Sequence, residues 1–401
     1  MLTRAHRDAT TQMLVDSVID RERLLKDLQK QVVAMEVDLR AQLARLPDVD
    51  QRLRSEHLNA VKVKRTKAGP AEWIGDRVTQ AAVAWVLGTV FVRFCEDNDL
   101  LDEPLLSGST GRWQLHAEER HSQFLREDPA RTDRDWLLHA FLQIASTQMG
   151  KLLFDERYNP LFQIPLSNEG ARRLVTFWRL HEEMEDGNTR IVHSFVDSEW
   201  DTRFLGDLYQ DLSTEAKEKY ALLQTPEFVE NFILDRTLRK AIREFGYDKV
   251  KMIDPTCGSG HFVLGAFHKI LTAWEEMAPS VSRSDRVEAA LRAVHGVDIN
   301  PFASAIARFR LLVAALKAAG VSRFSDAAKH DWPIRIVTGD ALLKFEQGKL
   351  FESIGDGESQ EGSEFWFTTE DISLYSDMLK PGQYHVVVGN PPYIVPGGGR
   401  T

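Results

Sequence analysis

Val250-Lys-Met-Ile-Asp254-Pro-Thr-Cys-Gly258-Ser-Gly260-His-Phe262 decides the fold. A short apolar run ends in an acid, two glycines stand one residue apart, and helix-forming residues follow. That pattern reads as a strand, a tight turn and a helix start. Glycines there let the backbone approach a ligand closely, and the helix start offers unpaired amide donors. Outward from this turn the same alternation repeats. β-rich runs at Ala293–Val297, Ile334–Val337 and His385–Val388 are separated by helical segments at Phe262–Glu276 and Pro301–Ala319. Alternation of this kind predicts an α/β fold with a parallel sheet and crossover helices. Ligands of such sheets bind beyond the carboxyl ends of the strands, where the glycine turn sits.

The turn excludes two common ligands. A dinucleotide fingerprint beginning at Gly258 and Gly260 fails at Val263, and a P-loop counted from Gly260 to Gly265 has Ala266-Phe267 instead of Lys-Ser/Thr. Asp254, directly before the turn, favours a ligand that is positive or donates hydrogen bonds. S-adenosylmethionine, with an amino group and a sulfonium, meets that need. Asp298 ends the second strand, where an acid can accept from both ribose hydroxyls. Asp340 ends the third, where an acid can accept from an adenine amino group. Ile299 can pack on the adenine face, and Asn300-Pro301 reads as an N-cap with proline in the first helical position. A lone strand-end Asp is ordinarily turn chemistry. Three in succession on one sheet edge point to a nucleoside site.

The fourth strand runs into Gly389-Asn390-Pro391-Pro392-Tyr393. An aromatic amino nitrogen is a poor nucleophile because its lone pair is delocalised into the ring. Two acceptors on its hydrogens, the Asn390 side-chain oxygen and the Pro391 carbonyl, would localise that lone pair and stabilise the charge that develops on the nitrogen. Consecutive prolines, Pro391 and Pro392, stiffen the backbone that carries them. Tyr393 offers a flat face for an extruded base. Neither a metal nor a strong base is required. An isolated Asn-Pro-Pro-Tyr is more often a turn, so its place after a strand of the same sheet carries the argument.

Asp254-Pro255-Thr256-Cys257-Gly258-Ser259-Gly260 and Asn390–Tyr393 resemble the cofactor and catalytic motifs of N6-adenine DNA methyltransferases. Tyr220-Ala-Leu-Leu-Gln-Thr225-Pro226-Glu-Phe228 is similar to the family's preceding cofactor motif, whose Thr-Pro helix start lies against the methionine end. The resemblance implies a Rossmann-like, class I methyltransferase core. It also implies cofactor binding through Tyr220, Thr225, Pro226, the Asp254–Gly260 loop, Phe262, Asp298, Ile299 and Asp340, and catalysis at Asn390, Pro391, Pro392 and Tyr393. The glycine motif precedes the catalytic one, and only about 45 residues separate Asp340 from the fourth strand. That order resembles the type I and type IIG restriction-modification enzymes, which carry target recognition after the catalytic core. The helical first half, with Val92-Arg-Phe-Cys-Glu-Asp-Asn-Asp-Leu-Leu101, is similar to the PglX-type methyltransferases of BREX phage-defence systems. The partners this implies are double-stranded DNA and other defence proteins.

Residues 1–206 read as a mostly helical domain and 207–401 as the front part of the methyltransferase domain. Leu14, Val18, Leu25, Leu28, Val32, Met35, Leu39 and Leu46 form an apolar seam on one long helix ending at Pro47, which is better packed on its own domain than used as a dimer zipper. Further helical stretches are read at Ala71–Cys95, Trp136–Met149 and Gly170–Glu185. The apolar run Ala81–Val92 is short of the roughly 20 residues of a membrane span and reads as a buried helix. The N-terminus lacks a signal-peptide pattern, and the two cysteines, Cys95 and Cys257, form no CxxC pair. Together these lead us to expect a cytoplasmic protein. A net charge of −10 gives no bulk support for nucleic-acid binding, and the basic run Lys62–Lys67 is ordinary for a solvated linker. Phe351–Phe365 reads as an acidic loop.

Only eight residues follow Tyr393. The remaining strands and a target-recognition domain are expected beyond Thr401. These 401 residues alone are therefore expected to bind cofactor weakly or not at all, and to lack sequence-specific methylation. Three alternatives stand beside the adenine reading: an rRNA guanine-N2 methyltransferase, a glutamine methyltransferase of release factors, and an assembly or regulatory subunit without turnover.

Overall fold

A computed structural model describes residues 19–145, 151, 153–157, 159–184, 187, 189–197, 199–212, 225–327, 329–330, 332–342 and 377–391. The first long helix, α1 (Arg21–Arg45), begins where Asp20 accepts a hydrogen bond from the Arg23 amide at 3.0 Å. It stops before Pro47, which opens α2 (Pro47–Lys62) in a first-turn position where its missing N–H costs nothing. The buried stripe of α1 is Leu24, Leu28, Val32, Met35, Leu39 and Leu43, spaced by threes and fours. The seam read from the sequence is right at its centre. At its ends it is turned slightly, so that Leu25 and Leu46 are only partly buried; Leu14 and Val18 lie outside the described residues.

That stripe packs along α3 (Pro70–Asp97). By length and composition α3 is apolar enough to cross a membrane, and 94% of its apolar window is buried inside the protein. It is the central post of the helical half, as the buried-helix reading requires, although far longer than the Ala81–Val92 run. Around it lie α4 (Gly111–Glu127), α5 (Asp133–Ala145), α6 (Asn168–Trp178) and α7 (Arg203–Leu212). The helical stretch read to Glu185 ends earlier. His181–Glu183 (β1) instead pairs antiparallel with Thr189–Ile191 (β2).

The last turn of α3 holds a buried ion cluster. Arg93 donates to Glu96 at 2.6 Å and to Asp97 at 2.7 Å, with all three side chains fully buried. Glu96 also accepts the backbone amides of Leu105, Leu106, Ser107 and Gly108. Asp97 accepts the Phe195 amide, and Asn98 donates to the Phe195 carbonyl at 2.8 Å. The acidic run after Phe94 therefore ties two distant loops to one helix end, satisfying groups that burial would otherwise leave unpaired.

The second half contains a four-stranded parallel sheet of Met252–Asp254 (β3), Val294–Asp298 (β4), Ile336–Thr338 (β5) and Val386–Val387 (β6), in the order β5-β4-β3-β6. These strands fall within or against the four β-rich runs read from the sequence. Strand periodicity divides their side chains. Met252, Val294, Ile336, Val386 and Val388 join the main core, whereas Ile253, Val297 and Val337 face Met378, Leu379 and Tyr384. Val387, on the second face, is 65% exposed. Helices α8 (Glu227–Arg236), α9 (Leu238–Phe245), α10 (His261–Met277), α11 (Arg283–Ala293), α12 (Pro301–Ala319) and the short α13 (Phe324–Ala327) complete the described elements. The main core runs without a break from Leu24 to Val388. Phe309 of α12 stacks on Phe91 of α3 at 4.5 Å and meets Phe94 edge-on at 5.5 Å.

Candidate active site

Strand β3 lies between β4 and β6, so the chain winds outward from it in both directions. The crevice beyond β3 and β6 is where sheets of this order accept ligands. On the β3 side, Asp254 accepts the Thr256 amide at 3.0 Å and starts the turn. Gly258 and Gly260 then take φ of 52° and 88°, a region that side chains with a Cβ enter at a cost. The Cys257 amide bonds the Val297 carbonyl at 2.9 Å, fastening the loop to β4.

The strand-end acids sit as the sequence predicts. Asp298 accepts the Gly258 amide at 2.7 Å and the Asn300 amide at 2.8 Å, one on each carboxylate oxygen. Each oxygen keeps a second lone-pair direction for a hydroxyl. Ile299 beside it is 51% exposed. Asn300 accepts the Phe302 amide at 3.0 Å, and Pro301 begins α12, as the capping pattern requires. Asp340 ends β5 and accepts the Leu342 amide at 3.0 Å. Pro255 and Thr256 are half-buried on the loop, and Ser259 is buried. Two candidates turn inward: Phe262 lies in the main core, and the buried Cys257 thiol lies against Gly296. To a ligand these two residues offer backbone, not side chain.

The end of β6 meets the Asp254–Gly260 turn directly. A Cβ on Gly389 would stand 2.6 Å from Asp254 Oδ1 and 3.0 Å from Thr256 Oγ1, so only glycine lets the end of β6 pass there. The sequence reading quoted Gly389 without giving it a role; its signal was a glycine between an apolar strand and Asn390. One residue on, Asn390 Nδ2 donates to Thr225 Oγ1 at 3.2 Å. Thr225 precedes α8, whose N-cap is Pro226 and carries no side-chain cap bond. The threonine hydroxyl thus serves Asn390 and not the helix. With its nitrogen turned to Thr225, the Asn390 amide presents Oδ1 as the acceptor. Pro391 follows, exposed. Tyr220, Pro392 and Tyr393 lie outside the described residues.

Burial makes this a charged site of unusual polarity. Asp254, only 1% exposed, has its carboxyl pushed up to about 8 by loss of solvent, with the nearby Asp298 adding to the rise and the Thr256 amide opposing it. Asp298 is pushed up to about 6 by burial, against its two amide bonds. Among the described residues no cationic side chain pairs with either acid. Two desolvated carboxyls without a counter-ion fit a ligand that brings a positive group and hydroxyl donors. The residues present therefore fit S-adenosylmethionine: Asp254 for the ammonium, Asp298 for the ribose, and Ile299 and Asp340 for the adenine. Among the described residues no three His, Cys, Asp or Glu side chains converge as a metal site.

This architecture and motif geometry define a class, and a family model described as the DNA-methyltransferase domain of MmeI matches residues 235–398. The chain is also 54% identical over 386 residues to the adenine-specific methyltransferase PglX of Streptomyces coelicolor, covering 94% of this chain and 32% of that protein. It is thus related to the PglX-type adenine-specific methyltransferases, and spans about a third of the length of this curated relative. Among solved structures, the type ISP restriction-modification enzyme LlaBIII bound to DNA aligns with 95% of this chain and 21% of its own (15% identity, TM-score 0.47). The DrdV–DNA complex aligns with 92% of this chain and 29% of its own (14% identity, TM-score 0.39).

Proposed function

We propose that this protein transfers a methyl group from S-adenosylmethionine to the N6 amino group of an adenine in double-stranded DNA. The four parallel strands would be the first strands of a Rossmann-like class I core. The mostly helical residues 1–206 would be a domain in front of it, packed on it through a shared core. The observation that supports the reading is the hydrogen bond of Asn390 to Thr225, one residue after Gly389, whose backbone passes close against Asp254.

When bound, S-adenosylmethionine supplies an electrophilic methyl group on a sulfonium. The chain's own residues supply alignment and acceptors. Asn390 Oδ1 and the Pro391 carbonyl take the two amino hydrogens of an extruded adenine, raise the availability of its nitrogen lone pair, and stabilise positive charge on that nitrogen. Thr225 keeps the Asn390 amide from rotating its nitrogen toward the base, which would repel the amino group. Tyr393 would stack on the extruded ring. The relation to an adenine-specific enzyme favours adenine over guanine N2, glutamine and a subunit without turnover. We place the reaction in the cytoplasm, in phage defence or restriction-modification, alongside other defence proteins.

The test is methyl-labelled cofactor incubated with duplex DNA, followed by nucleoside analysis. Label in N6-methyladenine is expected, falling about 10²–10³-fold in Asn390→Ala. The assay is run on these 401 residues and on a chimera that joins them to the remaining two thirds of the Streptomyces relative. Label in guanine, or in glutamine of added release factor, would overturn the reading.

A further inference from the structure

Glycines flank Ser259 on both sides, so the backbone there has wide conformational freedom. Besides its bonds to β4, the loop is held from beneath. Arg310, on the third turn of α12 and buried, donates from Nη1 to the Ser259 carbonyl at 2.7 Å and approaches Ser259 Oγ at 3.5 Å. That carbonyl and the Gly260 N–H belong to one planar peptide unit. The Gly260 N–H is itself bonded to the Cys257 carbonyl at 2.8 Å. The plane is therefore gripped at both ends, and its rotation fixes the aim of the neighbouring amides of the loop and the start of α10. The same side of Ser259 is pressed by α7: a Cβ on Gly206 would stand 2.7 Å from Ser259 Oγ and 3.4 Å from Arg310 Nη1. The position of Arg310 is set in turn by its neighbour Phe309, stacked on Phe91 of α3.

We propose that Arg310 is a positioning residue for the cofactor loop: its buried guanidinium locks the Ser259–Gly260 peptide plane and so holds the loop in its ligand-ready shape. The inference deepens the cofactor reading above and rests on it for the ligand, though not for the loop. A guanidinium suits the task because it stays charged when buried and holds a fixed planar fork, and a charge-assisted bond to a carbonyl outlasts a neutral one. Arg308, one residue before Phe309, is also buried, but its guanidinium donates to the Ile336 carbonyl of β5 at 2.9 Å, and it serves as the control for loss of a buried arginine on the same helix.

The experiment is hydrogen–deuterium exchange on the ligand-free protein, with S-adenosylmethionine affinity measured by calorimetry alongside. In Arg310→Met, amides of residues 256–262 should exchange at least about 10-fold faster while α1 and α3 stay protected, and cofactor affinity should fall at least about 10-fold. Arg310→Lys should recover most of both, and Arg308→Met should leave the loop unchanged. Gly206→Ala keeps the buried charge but pushes on Ser259, so it should reproduce the local speeding if Arg310→Met fails to fold. Loop exchange equal to wild type in a folded Arg310→Met protein, or in Gly206→Ala when that is the folded variant, overturns the proposal. Absence of cofactor binding even when the chain is joined to the remaining two thirds of the Streptomyces relative would sink the ligand reading, while exchange still decides the role of Arg310.

Discussion

Among the described residues, two pairs of buried acids are built on opposite terms. At the end of α3, Glu96 and Asp97 are matched by Arg93 and by backbone amides from two loops, so the charges are consumed by the architecture. At the carboxyl end of the sheet, Asp254 and Asp298 meet backbone amides and the Thr256 hydroxyl, with no cation beside them among the described residues, and burial holds both carboxyls above their ordinary range. Asp97 is pushed to about 7 as well, but Arg93 pulls against that rise. A desolvated acid with its own cation is a fastener. One without a cation stores a cost that an incoming cation relieves.

The largest effect should come from the fastener. Arg93→Met removes the cation hydrogen-bonded to both buried acids and should cost about 3–5 kcal/mol of stability, read by chemical denaturation. A loss below about 1 kcal/mol would show that the acids simply take up protons, erasing the contrast. Asp254→Asn should do the reverse. Cofactor affinity should drop roughly 100-fold, from loss of a charge-assisted pair worth a few kcal/mol, while thermal stability at pH 8 stays level or rises. If stability falls in parallel with affinity, Asp254 belongs with the fasteners.

The smallest effect is a pH slope. Because the folded carboxyl of Asp254 sits near 8, far above its unfolded value of 3.8, the folded state binds more protons between those limits. Its stabilising contribution is complete below the unfolded value and is lost as pH rises through about 8. The melting temperature of the ligand-free protein should therefore decline from pH 5 to pH 8, less steeply in Asp254→Asn. Affinity for a cationic ligand should rise over the same window, since the ionised acid is the binding form. A flat affinity profile would place the ligand's positive group elsewhere.

Much of the sheet half was legible because its signals are local. Asp254–Gly260 spells a turn within seven residues, and Asn300-Pro301 spells a helix start within two. The strands were found, though most are shorter than their apolar runs because pairing stops where a partner ends. The helix α11 between α10 and β4 went unread, since Arg283–Ala293 carries a polar face and little apolar periodicity. The contacts that finish the site were not legible at all. Thr225 reads as a helix cap and becomes the partner of Asn390, 165 residues away. Arg310 reads as one more charge on an apolar helix and lies under Ser259, 51 residues earlier in the chain. In the helical half, Glu96 and Asp97 look like a solvated turn because nothing near them announces the loops they will grip. Tertiary partners decide such residues, and the local pattern does not carry that information.

The ring pair of Phe91 and Phe309 makes the front helices and the catalytic sheet halves of one keystone. Cutting the polypeptide near residue 206 would not release two tidy modules; it would tear an aromatic seam and leave a greasy scar on each piece. Whatever the front helices contribute to biology, they cannot be traded like a cassette, and a change in their packing reaches the sheet through this pair of rings.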